Sequence, residues 1–190
     1  MFIQTEQTPN PATLKFLPGR EVLPSGTANF PDAESAGRSP LAERLFTVEG
    51  VVGVFFGTDF VSVTKEEARE WYLMKPAILG VIMEHFTAGR PVMGDAAGAG
   101  DEGHSAAGED GGEDSEIVSQ IKELLDTRVR PAVAQDGGDI VFRGFDKGVV
   151  YLHMQGACSG CPSSTATLKM GIENMLRHYI PEVVEVRPVL

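Results

Sequence analysis

The run Gly94-Asp-Ala-Ala-Gly-Ala-Gly-Asp-Glu-Gly-His104-Ser-Ala-Ala-Gly-Glu-Asp-Gly-Gly-Glu-Asp114 divides this 190-residue chain. It holds no apolar residue larger than Ala and shows no periodicity. Such a segment cannot bury enough surface to offset the entropy lost on ordering its backbone. Residues 95–114 contribute seven carboxylates and no Lys or Arg, and their mutual repulsion favours an extended, flexible linker. His104 within it reads as a bystander. The expected organisation is therefore α+β, with small mixed domains at 1–93 and 115–190 joined by a flexible acidic linker at 94–114.

The same run explains the charge. The chain carries a net −11, of which −7 lies in 95–114, −3 in 1–94 and −1 in 115–190. The acidity thus belongs to the linker, and neither flank presents the basic patch that nucleic-acid binding through phosphate neutralisation requires. Hydrophobic residues make up 42% of the chain, enough for packed cores. No stretch approaches the ~18 consecutive apolar residues of a membrane-spanning helix. The start, Met1-Phe-Ile-Gln-Thr-Glu-Gln-Thr8, has neither the basic and apolar regions of a signal peptide nor the Arg-rich character of a transit peptide. The resulting expectation is a soluble protein of a bacterial-type cytoplasm, with a processed organellar form as the alternative.

Outward to the N-terminal side, Met1–Thr8 and Thr13–Leu17 read as strands interrupted by Pro9-Asn10-Pro11. Gly19–Ser39 is rich in turn formers and carries no assignable element. Ser39-Pro40 opens a helix, with Ser as cap, Pro in the first turn and Leu41, Leu45 and Phe46 as the apolar face. Val51–Phe56 and Phe60–Thr64 flank Gly57-Thr58-Asp59 as a hairpin. A long helix is predicted from Thr64-Lys-Glu-Glu through Trp71, Ile78, Ile82 and Phe86 to Gly89, with Pro76 a break or kink. This half has no cysteine and no cluster of His and carboxylates, and it reads as an α+β interaction domain.

On the C-terminal side the pattern is α-β-β-α-β. Ile117, Ile121, Leu124, Leu125 and Val129 recur at helical spacing and stop near Pro131. Asp139–Phe145 and Val149–Met154 form strands around the tight turn Asp146-Lys147-Gly148. Leu168, Ile172, Met175, Leu176 and Tyr179 make a second helical stripe, and Val183–Val186 closes as a short strand. Met154, Met170 and Met175 serve as core or interface filling rather than as ligands to a soft metal.

Both cysteines lie in Gly156-Ala-Cys158-Ser-Gly-Cys161-Pro162. A two-residue spacing lets both sulfurs converge on one metal or cluster, and Gly156 and Gly160 permit the backbone conformations of such a loop. Pro162 suits the first position of the following helix, which puts Cys161 at about its cap. The positive end of that helix favours the metal-binding thiolate. Inert core cysteines fit poorly with two Gly and a Pro around them. A structural disulfide closing so short a loop gains little. A thioredoxin-like dithiol oxidoreductase shares the placement between strand and helix, but the aromatic residue before the first cysteine is missing and a parallel βαβ frame is not expected.

Metal binding is the third reading. Iron–sulfur clusters and structural zinc usually take four protein ligands. One chain supplies two thiolates, and His153 lies too far back along its strand to make a third. Two chains related by a two-fold axis supply four. On ligand chemistry alone, a zinc-bridged interaction module stands nearly level with an iron–sulfur carrier.

The neighbouring residues add a resemblance. Residues 116–187 resemble the C-terminal domain of NifU-like (Nfu-type) iron–sulfur scaffold proteins, through Val129-Arg-Pro131, Asp136-Gly-Gly-Asp-Ile140, Gly156-Ala-Cys-Ser-Gly-Cys-Pro-Ser-Ser164 and the helix Thr167–Leu176. Residues 1–92 resemble the N-terminal domain of the mitochondrial-type members, through Gln7-Thr-Pro-Asn-Pro-Ala-Thr-Leu-Lys-Phe16 and Gly53–Lys65. The resemblance implies a carrier rather than an enzyme, with no catalytic residue. It implies a 4Fe–4S cluster bound between the two subunits of a homodimer by Cys158 and Cys161 and delivered to apo iron–sulfur client proteins. Gly137, Gly138 and Asp139 match a family motif and are given a loop-forming role. The N-terminal half is expected to recognise partners or tune delivery, with a purely structural role as the alternative, and other cluster-assembly factors are candidate partners.

Overall fold

The computed structural model describes residues 1–94, 113–159 and 162–189, except for the side chains of 113–114 and 162–165. It divides into two compact units, Met1–Asp101 and Glu102–Leu190. Most of the run from Gly94 to Asp114, His104 included, falls outside the described residues.

In the first unit, β1 (Gln4–Gln7), β2 (Thr13–Leu17), β3 (Ala28–Phe30), β4 (Val51–Phe56) and β5 (Val61–Lys65) form one sheet in the order β1-β2-β5-β4-β3. Every pairing is antiparallel. Two helices, α1 (Pro40–Phe46) and α2 (Trp71–Thr87), share a core with it. Leu14 and Phe16 of β2, Val54 and Phe56 of β4 and Val61 and Val63 of β5 meet Leu41 and Leu45 of α1 and Ile78 and Ile82 of α2. β2, β4 and β5 each contribute alternate residues to that core, as the two-residue period of a strand requires. Ser39 caps α1 as expected, its Oγ accepting from the Ala42 N–H at 3.1 Å.

Several boundaries differ from those expected. The long helix begins at Trp71 rather than Thr64, because Thr64 and Lys65 complete β5 against Thr13 and Val51. It then runs through Pro76 without ending. The turn-rich segment Gly19–Ser39 holds the short β3 and a 3₁₀ turn at Ser35–Arg38, both too brief to show a period.

In the second unit, α3 (Glu113–Leu124) passes through a π-helical turn at Leu125–Val129 into α4 (Arg130–Gln135). The helical path thus does not stop near Pro131. The π turn, in which the Arg130 N–H reaches Leu125 O, lets Pro131 fall in the first turn of a new helical segment, where a missing N–H costs nothing. The strands β6 (Gly138–Asp146) and β7 (Val149–Gly156) form an antiparallel hairpin closed by Lys147-Gly148, both in the left-handed region. Helix α5 (Pro162–Tyr179) then leads to β8 (Glu185–Val189), which lies parallel to β7. The sheet order is β6-β7-β8.

This corrects one expectation with a bearing on function. The β7–α5–β8 crossover is a parallel βαβ unit, so its supposed absence no longer counts against a dithiol reading. Two parallel strands need a long crossover, and α5 provides it. Ile140, Val150, Leu152, Met154 and Val186 of the sheet bury against Ile121, Leu125, Val129 and Val133 and against Ile172 and Leu176. Of the three methionines, Met154 is core, Met175 packs at its margin and Met170 is exposed.

Candidate functional site

The cysteine loop is the β7–α5 connection. At the open end of the β6–β7 hairpin, Gly138 pairs with Gly156, so two strands meet with no side chain between them. Gly137 and Gly156 have φ of +81° and +62°, the left-handed region in which glycine pays no Cβ penalty. The Ala157 N–H donates to Gly137 O at 3.2 Å and the Ser159 N–H to Gly156 O at 3.1 Å. These two bonds fold the loop back across the start of β6.

Cys158 sits inside this turn. It is 6% exposed and belongs to the apolar cluster that includes Ile140, Met154 and Ile172. A Cβ built on Gly138 would lie 2.6 Å from Cys158 Sγ, 2.8 Å from Gln155 O and 2.9 Å from the Cys158 N. Gly138 is thus the floor on which the sulfur rests.

Cys161, the second candidate ligand, lies outside the described residues, as does Gly160. The next helix begins at Pro162, the position expected for a proline. His153 occupies the alternate face of β7 from Met154, and its Nδ1 lies 3.2 Å from Val189 O. Among the described residues no group of three or more His, Cys, Asp or Glu side chains gathers as a metal site.

Beside Gly138, the carboxylate of Asp139 is held in a way the sequence did not reveal. Arg130 donates from Nε to Asp139 Oδ1 at 2.9 Å and from Nη2 to Oδ2 at 2.8 Å, and from Nη1 to Asp126 Oδ1 at 3.1 Å. Asp139 is only 3% exposed, and its Oδ1 also accepts from the Ile140 N–H at 2.8 Å. The hydrogen bonds from Arg130 to Asp139 outweigh the guanidinium's own burial and strengthen its hold on its proton. A two-pronged pair of this kind fixes direction as well as distance. The i,i+4 spacing of Asp126 and Arg130 was a legible signal; the pairing with Asp139 arises only when α4 and β6 pack together.

The arrangement defines a class: a two-unit α+β protein whose second unit presents a cysteine loop between a strand and a helix on a Gly-Gly floor. The sequence matches the family described as "Scaffold protein Nfu/NifU N terminal" over residues 3–89 and the "NifU-like domain" over residues 121–187. The chain belongs to the Nfu/NifU family of iron–sulfur scaffold proteins. It is 52% identical over 191 residues to the human "NFU1 iron-sulfur cluster scaffold homolog, mitochondrial", covering all of this chain and 72% of that protein. Its identity to the protein of the same name from Drosophila erecta is 57% over 190 residues, and from Drosophila sechellia 56%. The chain spans 65% of the length of these fly relatives. Among solved structures, the NMR structure of a NifU-like protein from Saccharomyces cerevisiae is 25% identical, with a TM-score of 0.46, covering 50% of this chain and 86% of that one.

The relatives correct the expected cytoplasmic location. The human and fly proteins are named as mitochondrial, which points to a mitochondrial rather than a cytoplasmic setting. A targeting leader is read at the start of a precursor. In a chain spanning 65% of the fly relatives' length, the composition of Met1–Thr8 therefore carries no information on compartment.

Proposed function

We propose that this chain holds an iron–sulfur cluster on Cys158 and Cys161 of two copies of itself and passes it to apo-proteins that lack one. The reading is supported by family membership and carried by one observation: a turn built around Cys158 on a glycine floor, with a second cysteine three residues on in the sequence, directly before Pro162 where α5 begins. One chain supplies two cysteines, and among the described residues no group of three or more His, Cys, Asp or Glu side chains gathers to add to them. A four-ligand cluster therefore calls on a second copy, and a two-fold axis is the simplest way to supply it. A cluster divided between two chains is open to exchange, because separating them removes half its ligands. Incoming thiolates of a client replace those of the carrier one at a time, and 4Fe–4S is the cargo four such thiolates suit.

In this scheme residues 1–93 recognise the client and 115–190 carry the cluster. The acidic run 94–114 tethers the two and raises the effective concentration of cluster at the client.

Anaerobic reconstitution with iron and sulfide tests the reading, followed by iron and sulfide assays and mass determination on one sample. About two irons and two sulfides per chain in a species of dimer mass are expected for one shared 4Fe–4S cluster. Cys158→Ser and Cys161→Ser should each abolish loading while far-ultraviolet circular dichroism is retained. Full loading of both variants would remove the ligand assignment. Colourless protein with about half a zinc per chain would replace the carrier with a zinc-bridged module. The β7–α5–β8 crossover gives the dithiol alternative its one structural point. Turnover in a thiol–disulfide exchange assay without cluster loading would establish it.

A further inference from the structure

Three features converge on Cys158 from outside the loop itself. Gly138 forms the floor beneath its sulfur, with no room for a methyl group. Asp139, the next residue, is buried and clamped by both prongs of Arg130. Arg130 is itself anchored where the π turn meets α4, with Asp126 on its remaining side. The ion pair therefore ties the helical segment to the first residues of β6, and through them to the backbone that faces Cys158. The Ala157 N–H to Gly137 O bond closes the connection from the other side.

We infer that Arg130 and Asp139 are positioning residues for Cys158: their pair holds the start of β6 against the cysteine turn and so sets how readily the sulfur leaves the core. The functional half of this inference rests on Cys158 being a cluster ligand. Cys158, a residue only 6% exposed, must turn its sulfur outward to meet a cluster shared with a second chain. The firmness of its floor then governs both the opening of the empty loop and the retention of a loaded cluster. Arg is needed rather than Lys, because only the planar guanidinium engages both carboxylate oxygens at once.

The test measures alkylation of Cys158 by N-ethylmaleimide in the 190-residue chain carrying Cys161→Ser. A Val186→Cys substitution, at a fully buried site on β8, provides an internal reporter of opening elsewhere in the same unit. Rates at the two thiols are read separately by peptide mass spectrometry. Asp139→Asn and Arg130→Lys should each speed alkylation of Cys158 by about tenfold or more, the ratio that ~1.4 kcal/mol of lost local stability produces, with a much smaller change at the reporter. Arg187→Gln, which removes an exposed ion pair with Glu185 on β8, should leave the rate at Cys158 as it was. An unchanged rate at Cys158, or equal acceleration at both thiols, would overturn the positioning role, since general destabilisation opens both sites alike.

A second arm uses the two-cysteine chain after anaerobic reconstitution and follows decay of cluster absorbance under a chelator. Faster decay in Asp139→Asn and Arg130→Lys is expected, and equal decay would overturn the link to retention. If the unsubstituted chain loads no cluster, the ligand reading falls while the alkylation result still decides the positioning role.

Discussion

Gly138 lies against Cys158 where no side chain would fit: the Cβ that Gly138 lacks would stand 2.6 Å from the cysteine sulfur. The neighbouring obstacles, Gln155 O and the Cys158 N at 2.8 and 2.9 Å, are backbone atoms that cannot turn aside. The φ of Gly138 is not positive, so its requirement is steric, whereas Gly137 at +81° is required for its conformation. Gly138→Ala is expected to destabilise the second unit by about 1–3 kcal/mol through overpacking and to displace Cys158 from its seat. Amide hydrogen exchange along β6 and β7 reads the first effect and reconstituted iron per chain the second. Gly144→Ala is the control, because a Cβ there meets nothing within 4 Å. Full cluster loading by Gly138→Ala would show that the floor does not matter to the site.

The first unit should lose stability as the pH falls below neutrality, because of His85. Its ring is fully buried at the end of α2, with Nε2 2.9 Å from Pro91 O, and its Nδ1 has no hydrogen-bond partner among the described residues. Burial holds the imidazole below its ordinary value; the Pro91 carbonyl works in the opposite direction, and the charges of Arg44 and Arg90 add to the lowering. The unfolded chain therefore binds the proton more readily than the folded one. Stability from this source is fully present above about pH 6.5 and is lost as pH falls from there toward the lower folded value. Trp71, the chain's single tryptophan, lies on the same helix and reports this unit selectively. Its fluorescence should show a lower melting temperature at pH 5.5 than at 7.5, with a smaller difference in His85→Gln. Identical melting at both pH values would contradict the assignment.

Ser39 does two jobs at once. Its Oγ accepts from the Ala42 N–H at the start of α1 and donates to Val92 O, closing the chain after α2 onto the cap. Ser39→Ala should cost about 1–2 kcal/mol, the upper range for losing a helix cap, because the half-buried Val92 carbonyl also loses its donor. Urea unfolding followed at Trp71 should show a lower midpoint with an unchanged slope, and Ser39→Thr should recover most of the loss. A midpoint within error of the parent would mean that the cap is dispensable.

Much of the local structure could be read from short stretches. Ser39-Pro40 marks the start of α1, Gly57-Thr58-Asp59 the β4–β5 turn, Asp146-Lys147-Gly148 the β6–β7 turn and Pro162 the start of α5. In each case the signal and its effect lie within a few residues. The readings failed where a partner elsewhere overrode local preference. Thr64 and Lys65 look like a helix start with Glu following, but Thr13 and Val51 draw them into the sheet. Pro131 looks like a helix stop, but the preceding π turn re-registers the backbone so that the helical path continues to Gln135. At the site, the placement of Cys158 between a strand and a helix was legible. Its burial was not, because nothing in a Cys-x-x-Cys spacing says which way a sulfur turns.

By itself, then, the sequence determined the order of the elements outside Gly19–Ser39, the turns between them and the position of the cysteine loop in the second unit, since those depend on φ preferences, caps and periodicity acting over a few residues. Tertiary structure alone decided the parallel pairing of β7 with β8, the seating of Cys158 on Gly138 and the clamp of Arg130 on Asp139. Each of these joins groups that the chain separates by a helix, a hairpin or a turn. Their geometry exists only once the apolar faces of α3, α4 and α5 have packed on one side of the sheet and brought those groups within reach.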